Sequence, residues 1–402
     1  VAKVYIPTPL EVPPAIWVDT DGIVHVRNSE RGTFGRCPQQ WWWNWRDGLR
    51  PKETAKPLWF GTAIHEALAH YYKRGYKRAS LGSTLEKFKA SADMEAEYIK
   101  TNLGIEETEE WVDARALGEA MLTGYVERWE GDKTWDVIAT EQSFEVAIPY
   151  LGKDDRSGPI VQHILKNYGD YFIFNGTFDG VYRDKRDNRI KLMEHKTAAS
   201  ISIGHLPMDN QAGAYWMIAQ SVGRSQGWLG NRDNISEITY NFLRKALPDS
   251  RPTDADGYYT NKPTKDHYIA ALDPYVEWET TRTGSVKFPT IAVLEEMAVE
   301  HGLTVVGDRS KTQPPPLFER HPVRKRPAMR KSQVARLRND VIRMHAYVDG
   351  WLAVDKTPDR NHCGFCPFKE MCELHESGAG WVEFRDAMYR HEDPYAGHRK
   401  SA

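Results

Sequence analysis

The sequence is short of cysteine, has no excess of charge of either sign, and lacks any long apolar run. With 54 Lys and Arg against 56 Asp and Glu, the formal net charge is −2 over 402 residues. No global basic field is present to attract nucleic acid, so any surface of that kind has to be a local patch. No stretch nears the roughly 20 apolar residues that cross a bilayer, and no membrane partner is expected. The start, VAKVYIPTPLEVPPAIW, lacks the basic beginning and apolar run of a secretory signal. The missing initiator Met reads as a trimmed start, and the expected location is cytoplasmic. A Gly-rich Walker A sequence is also missing, which argues against a fused ATP motor. The few cysteines are unevenly placed: Cys37 alone, then Cys363, Cys366 and Cys372. In a reducing compartment that spacing favours a metal site over disulfides.

What is present has a clear order. Residues 1–28 are Pro-rich with a short strand-like piece and read as an arm. Residues 57–74 read as a loop followed by a helix, and 85–100 and 109–130, with apolar residues at three- and four-residue steps, predict two more helices. The period then shortens to two. Phe144, Val146, Ile148 and Tyr150 alternate, residues 171–183 and 189–196 make two further strands, and the polar run 184–188 is the turn between them. A helix over about 208–222, with Asp209 or Asn210 near its N-cap, leads to a strand around Ile238, Tyr240 and Phe242. Residues 246–316 look like an insertion. A Pro- and Arg-rich connector follows, then a long helix capped by Ser332, the cysteine group, and a polar tail from 377. The pattern is α+β: helices, an antiparallel meander, a helix and a strand.

The chemistry concentrates on the 171–196 hairpin. Alternation puts Ile190, Leu192, Glu194 and Lys196 on one face. The two apolar residues turn that face to the core and leave Glu194 and Lys196 half buried at its end. The turn at 184–188 brings Asp179 within about one residue of opposite Glu194. Two carboxylates and a lysine therefore converge. Hard carboxylates at close range suit Mg²⁺ or Mn²⁺, which also accept phosphate oxygens and water. From these three residues alone, a structural salt bridge stands as an equal alternative.

Gly176-Thr-Phe-Asp179 followed by Glu194-His-Lys196-Thr resembles the PD-(D/E)XK signature of RecB-like nucleases, with Phe178 where the family often has proline. Gly61-Thr-Ala-Ile-His65 is similar to the family helix that supplies a metal-ligating histidine, and Gln211-Ala-Gly-Ala-Tyr215 is similar to its QxxxY motif. The resemblance implies a restriction-endonuclease-like fold, a central mixed sheet flanked by helices. It implies one nuclease domain over 29–376, with a helical part at 57–130, a catalytic core at 136–245, the 246–316 insertion, and a C-terminal helix and cysteine segment at 318–376. It implies catalysis by Asp179, Glu194, Lys196, Gln211 and Tyr215. The implied ligands of Mg²⁺ or Mn²⁺ are His65, Asp179, Glu194 and the carbonyl of His195, whose side chain points to the other face.

Four thiolates can hold zinc or an iron–sulfur cluster. The three-plus-one spacing resembles the iron–sulfur branch of this family, AddB-type subunits and CRISPR-associated RecB-like exonucleases, and implies a 4Fe–4S cluster on Cys37, Cys363, Cys366 and Cys372, with zinc as the alternative. The densest basic stretch runs from Arg320 to Arg338. Within it Arg324, Lys325, Arg326 and Arg330, together with Tyr215, are the expected DNA contacts. Trp41, Trp42, Trp43 and Trp45 are expected mostly to pack around the cluster. The implied activity is exonucleolytic, on single-stranded DNA or DNA ends, in recombination, repair or phage DNA metabolism, with a recombination or helicase protein as partner. Two alternatives stand beside it: a non-catalytic iron–sulfur DNA-binding subunit, and a structure-specific endonuclease.

Overall fold

The computed structural model describes residues 17–52, 59–73, 75–103, 107–152 and 157–395. The first 16 residues of the expected arm, and 396–402 of the expected tail, lie outside them. The strands are β1 (His25–Arg27), β2 (Leu49–Pro51), β3 (Trp135–Pro149), β4 (Tyr171–Asp184), β5 (Arg189–Ala198), β6 (Glu237–Arg244), β7 (Phe318–Arg324) and β8 (Tyr389–His391). The helices of the N-terminal half are α1 (Asn28–Arg36), α2 (Pro38–Trp41), α3 (Trp59–Tyr71), α4 (Leu81–Leu103), α5 (Glu109–Trp129) and α6 (Pro159–Tyr168). They are followed by α7 (Asn210–Ser225), α8 (Lys265–Leu272), α9 (Ile291–Glu300), α10 (Ala328–Val348), α11 (Arg360–Cys363), α12 (Lys369–Ser377) and α13 (Trp381–Met388).

Six strands form one mixed sheet in the order β1-β4-β5-β6-β7, with β3 also on β4. The β3–β4–β5 meander is antiparallel, β6 runs parallel to β5, and β7 closes the far edge antiparallel to β6. Both faces are covered. On one face Phe144, Phe178, Leu192, Tyr240 and Phe242 pack with Phe34 of α1, Trp216 of α7 and Leu337 of α10. On the other, Met193, Tyr182 and Leu243 pack with side chains of α3, α4 and α5. Burial on both sides explains why β6 is almost wholly buried. Each fully buried Phe or Leu in such a core contributes roughly 1.5–3 kcal/mol. The mixed α+β architecture, a central sheet flanked by helices, is the one the motifs implied.

Several elements differ from the sequence reading. The Pro- and Arg-rich connector contains β7, with Pro322 opposite Thr239 on the sheet edge, where a missing N–H leaves few ladder bonds broken. The helix expected to be capped by Ser332 begins at Ala328, with Pro327 as its N-cap, so Ser332 lies within its second turn. Residues expected as a polar tail fold back: β8 pairs antiparallel with β2, through Leu49↔His391 and Pro51↔Tyr389. Gly48 sits at φ +64°, and a Cβ there would lie 2.5 Å from the Glu392 carbonyl, so this closure needs glycine.

Ala246–Leu317 is a compact unit of its own. Its small core is Leu272, Leu294 and Ala298 with Trp278 and Met297 around them. Among the described residues no helix is long and apolar enough to cross a membrane.

Candidate active site

β4 has two neighbours along one edge. β1 pairs with Ile173–Asn175 and β5 with Gly180–Asp184. Gly176 to Asp179 lie between them, where that edge opens, and the candidate residues gather at this gap. Asp179 is buried, and its Oδ2 accepts from the His195 backbone N–H at 2.6 Å, one position beyond the Gly180↔Met193 pair. Glu194 is also buried and accepts from Lys196 Nζ at 2.7 Å. Lys196 Nζ donates in turn to Gln211 Oε1 at 3.0 Å. His65, from α3, lies with Nδ1 3.3 Å from Asp179 Oδ1. Four elements thus deliver His65, Asp179, Glu194, Lys196 and Gln211 to one place.

Local sequence accounts for each placement. Asp209 caps α7 by accepting from the backbone N–H of Gln211 at 2.7 Å and of Ala212 at 3.3 Å, and the Tyr240 hydroxyl holds its other oxygen. This fixes the first turn of α7, on which Gln211 faces Lys196. Tyr215 lies one turn later. Its ring is buried edge-on to Phe144 and Phe178, and its hydroxyl meets the Gln211 side chain and the Thr177 backbone. The buried ring thus stands beside Gln211 inside the core. Gly176 makes this fit possible: a Cβ there would come within 2.6 Å of Phe144 and 2.8 Å of Tyr215. Phe178, at the position of the family proline, is the other wall of the same aromatic group.

The His195 side chain turns to the opposite face. It stacks on Tyr72 with ring centroids 5.8 Å apart and accepts at Nδ1 from the Asn241 amide at 2.7 Å. Burial depresses this imidazole to about 3, so it stays neutral.

The electrostatics divide the carboxylates. Burial pushes Glu194 up to about 7, with the Asp179 charge adding to it and Lys196 opposing. Burial acts in the same direction on Asp179, but the hydrogen bond and charge of His65, with His195 behind them, hold it below its ordinary value. His65 is raised: desolvation works against its charge, and Asp179 outweighs desolvation. Desolvation likewise lowers Lys196, but Glu194 more than compensates and keeps it protonated. A carboxyl raised from 4.5 to about 7 contributes stability that is full below pH 4.5 and is lost as pH rises through 7. Metal-free protein should therefore melt lower at pH 8 than at pH 5, and Glu194→Gln should flatten that slope. Equal slopes for the two proteins in calorimetry would refute the assignment.

One residue escaped the sequence reading. Glu141, on β3, brings an oxygen within 4.8 Å of ligand atoms of both His65 and Asp179. It is one of two non-glycine residues at positive φ among the described residues, at +44°. Partial desolvation by its surroundings, with the Asp179 charge next, pushes this solvent-exposed carboxyl up to about 7. No motif marks it; the single signal was an acid breaking the alternation of β3.

The expected DNA contacts separate. Arg324 and Arg326 are exposed. Lys325 is buried and donates to the Pro207 carbonyl at 3.0 Å, so it is not available to a phosphate. Arg330 bonds Gln220 and Asn234 and lies over Trp216, which commits it to the fold. Arg320, in the same basic stretch, is sandwiched between Trp129 and Trp135 and paired with Asp132.

The four cysteines line one cavity of about 560 Å³ together with Trp43, Lys356 and Lys369. Cys37 joins α1 to α2, Cys363 ends α11, and Cys372 lies on α12. Burial, with neighbouring thiols adding to it, raises Cys366; burial also raises Cys372. Trp43 packs on Phe368 beside them, whereas Trp41 and Trp45 belong to the main core.

A search among curated proteins finds no match. The profile of the PD-(D/E)XK nuclease superfamily matches residues 29–373, which takes in α1 at one end and Cys372 at the other. With the match covering most of the chain and the Asp, Glu and Lys of the signature converging at the gap in the sheet, the chain belongs to the PD-(D/E)XK nuclease superfamily.

Proposed function

We propose that the protein is a Mg²⁺- or Mn²⁺-dependent deoxyribonuclease of the RecB-like, iron–sulfur branch, acting as an exonuclease on single-stranded DNA or DNA ends. The observation that carries this reading is the bond from Lys196 to both Glu194 and Gln211, next to Asp179. That arrangement has a cation-binding side and a proton-donating side facing one opening. Asp179, Glu194, His65 and the His195 carbonyl are the donors for the ion; three are hard oxygens and one is a neutral-capable imidazole, a set that suits Mg²⁺ or Mn²⁺. A bound divalent ion supplies phosphate polarisation and a water of lowered pKa. Lys196, held protonated, stabilises charge developing on the phosphate oxygens. Gln211, fixed by Asp209 and Tyr215, orients the attacking water or the phosphate through its amide. Arg324 and Arg326 are the candidate backbone contacts.

Cys37, Cys363, Cys366 and Cys372 are the ligands of a 4Fe–4S cluster in this reading. Four soft donors around one cavity fit such a group. Zinc, held by four thiolates at about 2.3 Å each, is the alternative occupant. The setting is recombination, repair or phage DNA metabolism, with a recombination or helicase protein as partner.

The test is digestion of linear and covalently closed circular single-stranded DNA with Mg²⁺ or Mn²⁺. Linear substrate should disappear and circles persist. Cleavage of circles would establish an endonuclease, and no digestion of either would support a binding subunit.

A further inference from the structure

We propose that the seam between α1 and α10 is a phosphate track that carries the backbone of a single DNA strand away from Lys196. This deepens the nuclease reading above and rests on it. The track starts at the site itself. Lys196 Nζ donates to Gln211, and the residue before Gln211, Asn210, accepts at Oδ1 from Arg336 Nη1 at 3.0 Å. The Asn210 carbonyl accepts from Arg31 Nη1 at 3.3 Å. Side chains of α1 and α10 thus meet at the first turn of α7, beside the catalytic lysine. On α10, Ser332, Arg336, Asn339 and Arg343 follow at steps of three and four and share one face. None of the four is buried. From Ser332 to Arg343 the helix rises about 16 Å. That leaves room for more than one phosphate of a strand whose charges stand about 3.4 Å apart when stacked.

The charge on this face is left over from the fold. Among the described residues neither Arg336 nor Arg343 is paired with a carboxylate. Arg336 bonds the neutral Asn210 and Ser332. Arg343 lies over the Phe34 ring at 5.1 Å and reaches the Tyr347 hydroxyl. The acid on the same stretch, Asp340, is held at 2.6 Å by Nε of the buried Arg31. That pair cancels itself and leaves two arginines uncompensated. Asp209, close by, is taken up by the α7 backbone and the Tyr240 hydroxyl. Beyond Arg343, Asp355 accepts from the Tyr347 hydroxyl and closes the positive face at that end. α1 contributes room. Gly35 lies four residues after Arg31 and so on the same face. It is exposed, and a Cβ there would meet nothing within 4 Å. A glycine within a helix costs stability relative to alanine, and packing within this chain does not call for one here. Close approach of a sugar-phosphate backbone gives it a use.

Fluorescence anisotropy of a labelled dT oligonucleotide in EDTA, over a range of NaCl, tests this without cleavage. Each phosphate contact removed should lower the slope of log K against log salt by about 0.7. Arg336→Gln and Arg343→Gln should each show that loss, and the double variant about twice it. Arg336→Lys should keep the slope, because the charge stays while the planar fork goes. Arg343 is exposed, so its variant decides the matter if Arg336→Gln melts lower. Gly35→Ala should melt no lower than wild type yet bind more weakly. Arginine variants of the seam that keep the wild-type slope overturn the proposal. So does a slope that falls only in the Arg324→Gln, Arg326→Gln double variant, which sends the strand over the end of β7. Digestion in Mg²⁺ by the same wild type would leave the nuclease reading intact in either case. A wild type whose slope depends on the seam, but which hydrolyses nothing in Mg²⁺, supports the track and overturns the nuclease reading. A wild type that binds no oligonucleotide overturns the track.

Discussion

Lys196→Ala should lower the rate of Mg²⁺-dependent hydrolysis of end-labelled single-stranded DNA by at least about 10²–10³-fold, the range for removing one preorganised donor at a transition state. The structure gives this lysine no substitute. Its ammonium touches both Glu194 and Gln211, and no other cation does so among the contacts described. Lys196→Arg should not rescue the rate, because a planar guanidinium cannot occupy the same point between two oxygens. Metal binding should move the other way. Removing a positive charge from Glu194 leaves that carboxylate freer for a cation, so Mn²⁺ affinity should hold or rise while catalysis falls. Equal degradation by wild type and variant would refute the catalytic role. A fall in rate matched by a fall in metal affinity would make Lys196 a structural partner only.

Cys363→Ala should bleach the visible absorption of anaerobically purified protein and lower its melting temperature on the order of 10 °C. Cys363 is exposed, so the substitution itself removes little packing. In the proposed reading, what it removes is a cluster ligand that ties α11 to the junction of α1 and α2, across most of the chain. Releasing a very long closed loop costs roughly 3–5 kcal/mol by the chain-entropy argument for covalent crosslinks, and large domains shift by about 2–4 °C per kcal/mol. Mn²⁺ binding at the hairpin should be retained, because the described bonds of Asp179, Glu194 and His65 run to one another, to the His195 backbone and to Lys196. A colourless wild type carrying one zinc per chain would replace the cluster with zinc. An unchanged melt in the variant would remove the structural role.

The hairpin was legible because its residues obey two patterns at once. Ile190 and Leu192 announce a strand by period, while Glu194 and Lys196 break the apolar face where chemistry needs them, and the turn at 184–188 fixes which residue stands opposite. The α7 start was legible for a similar reason, since Asp209 is a good cap and stands two residues before Gln211. β7 was hidden because Pro322 and a run of charge look like a connector; its place on the sheet edge, which the sequence does not record, makes them tolerable. The basic stretch misled because charge in a sequence says nothing about direction. Lys325 and Arg320 point inward to a carbonyl and to two indoles, while Arg324 and Arg326 point out. Glu141 was invisible for a deeper reason. Its significance comes from standing near His65 and Asp179, and nearness across strands leaves no mark on a single acid in a polar segment.

The pairing of β2 with β8 has a consequence for how the protein is made. His391 bonds the Asp47 carbonyl across 344 positions. During synthesis β2 leaves the ribosome long before β8 does, and at about 5–20 residues per second the interval is tens of seconds. Nascent chains therefore spend that time with β2 unpaired and its N–H and C=O groups open to other strands. A chaperone bound near Leu49, or faster translation between β2 and β8, would act on this window, and synthesis of residues 389–391 becomes the step that commits β2 to its final partner.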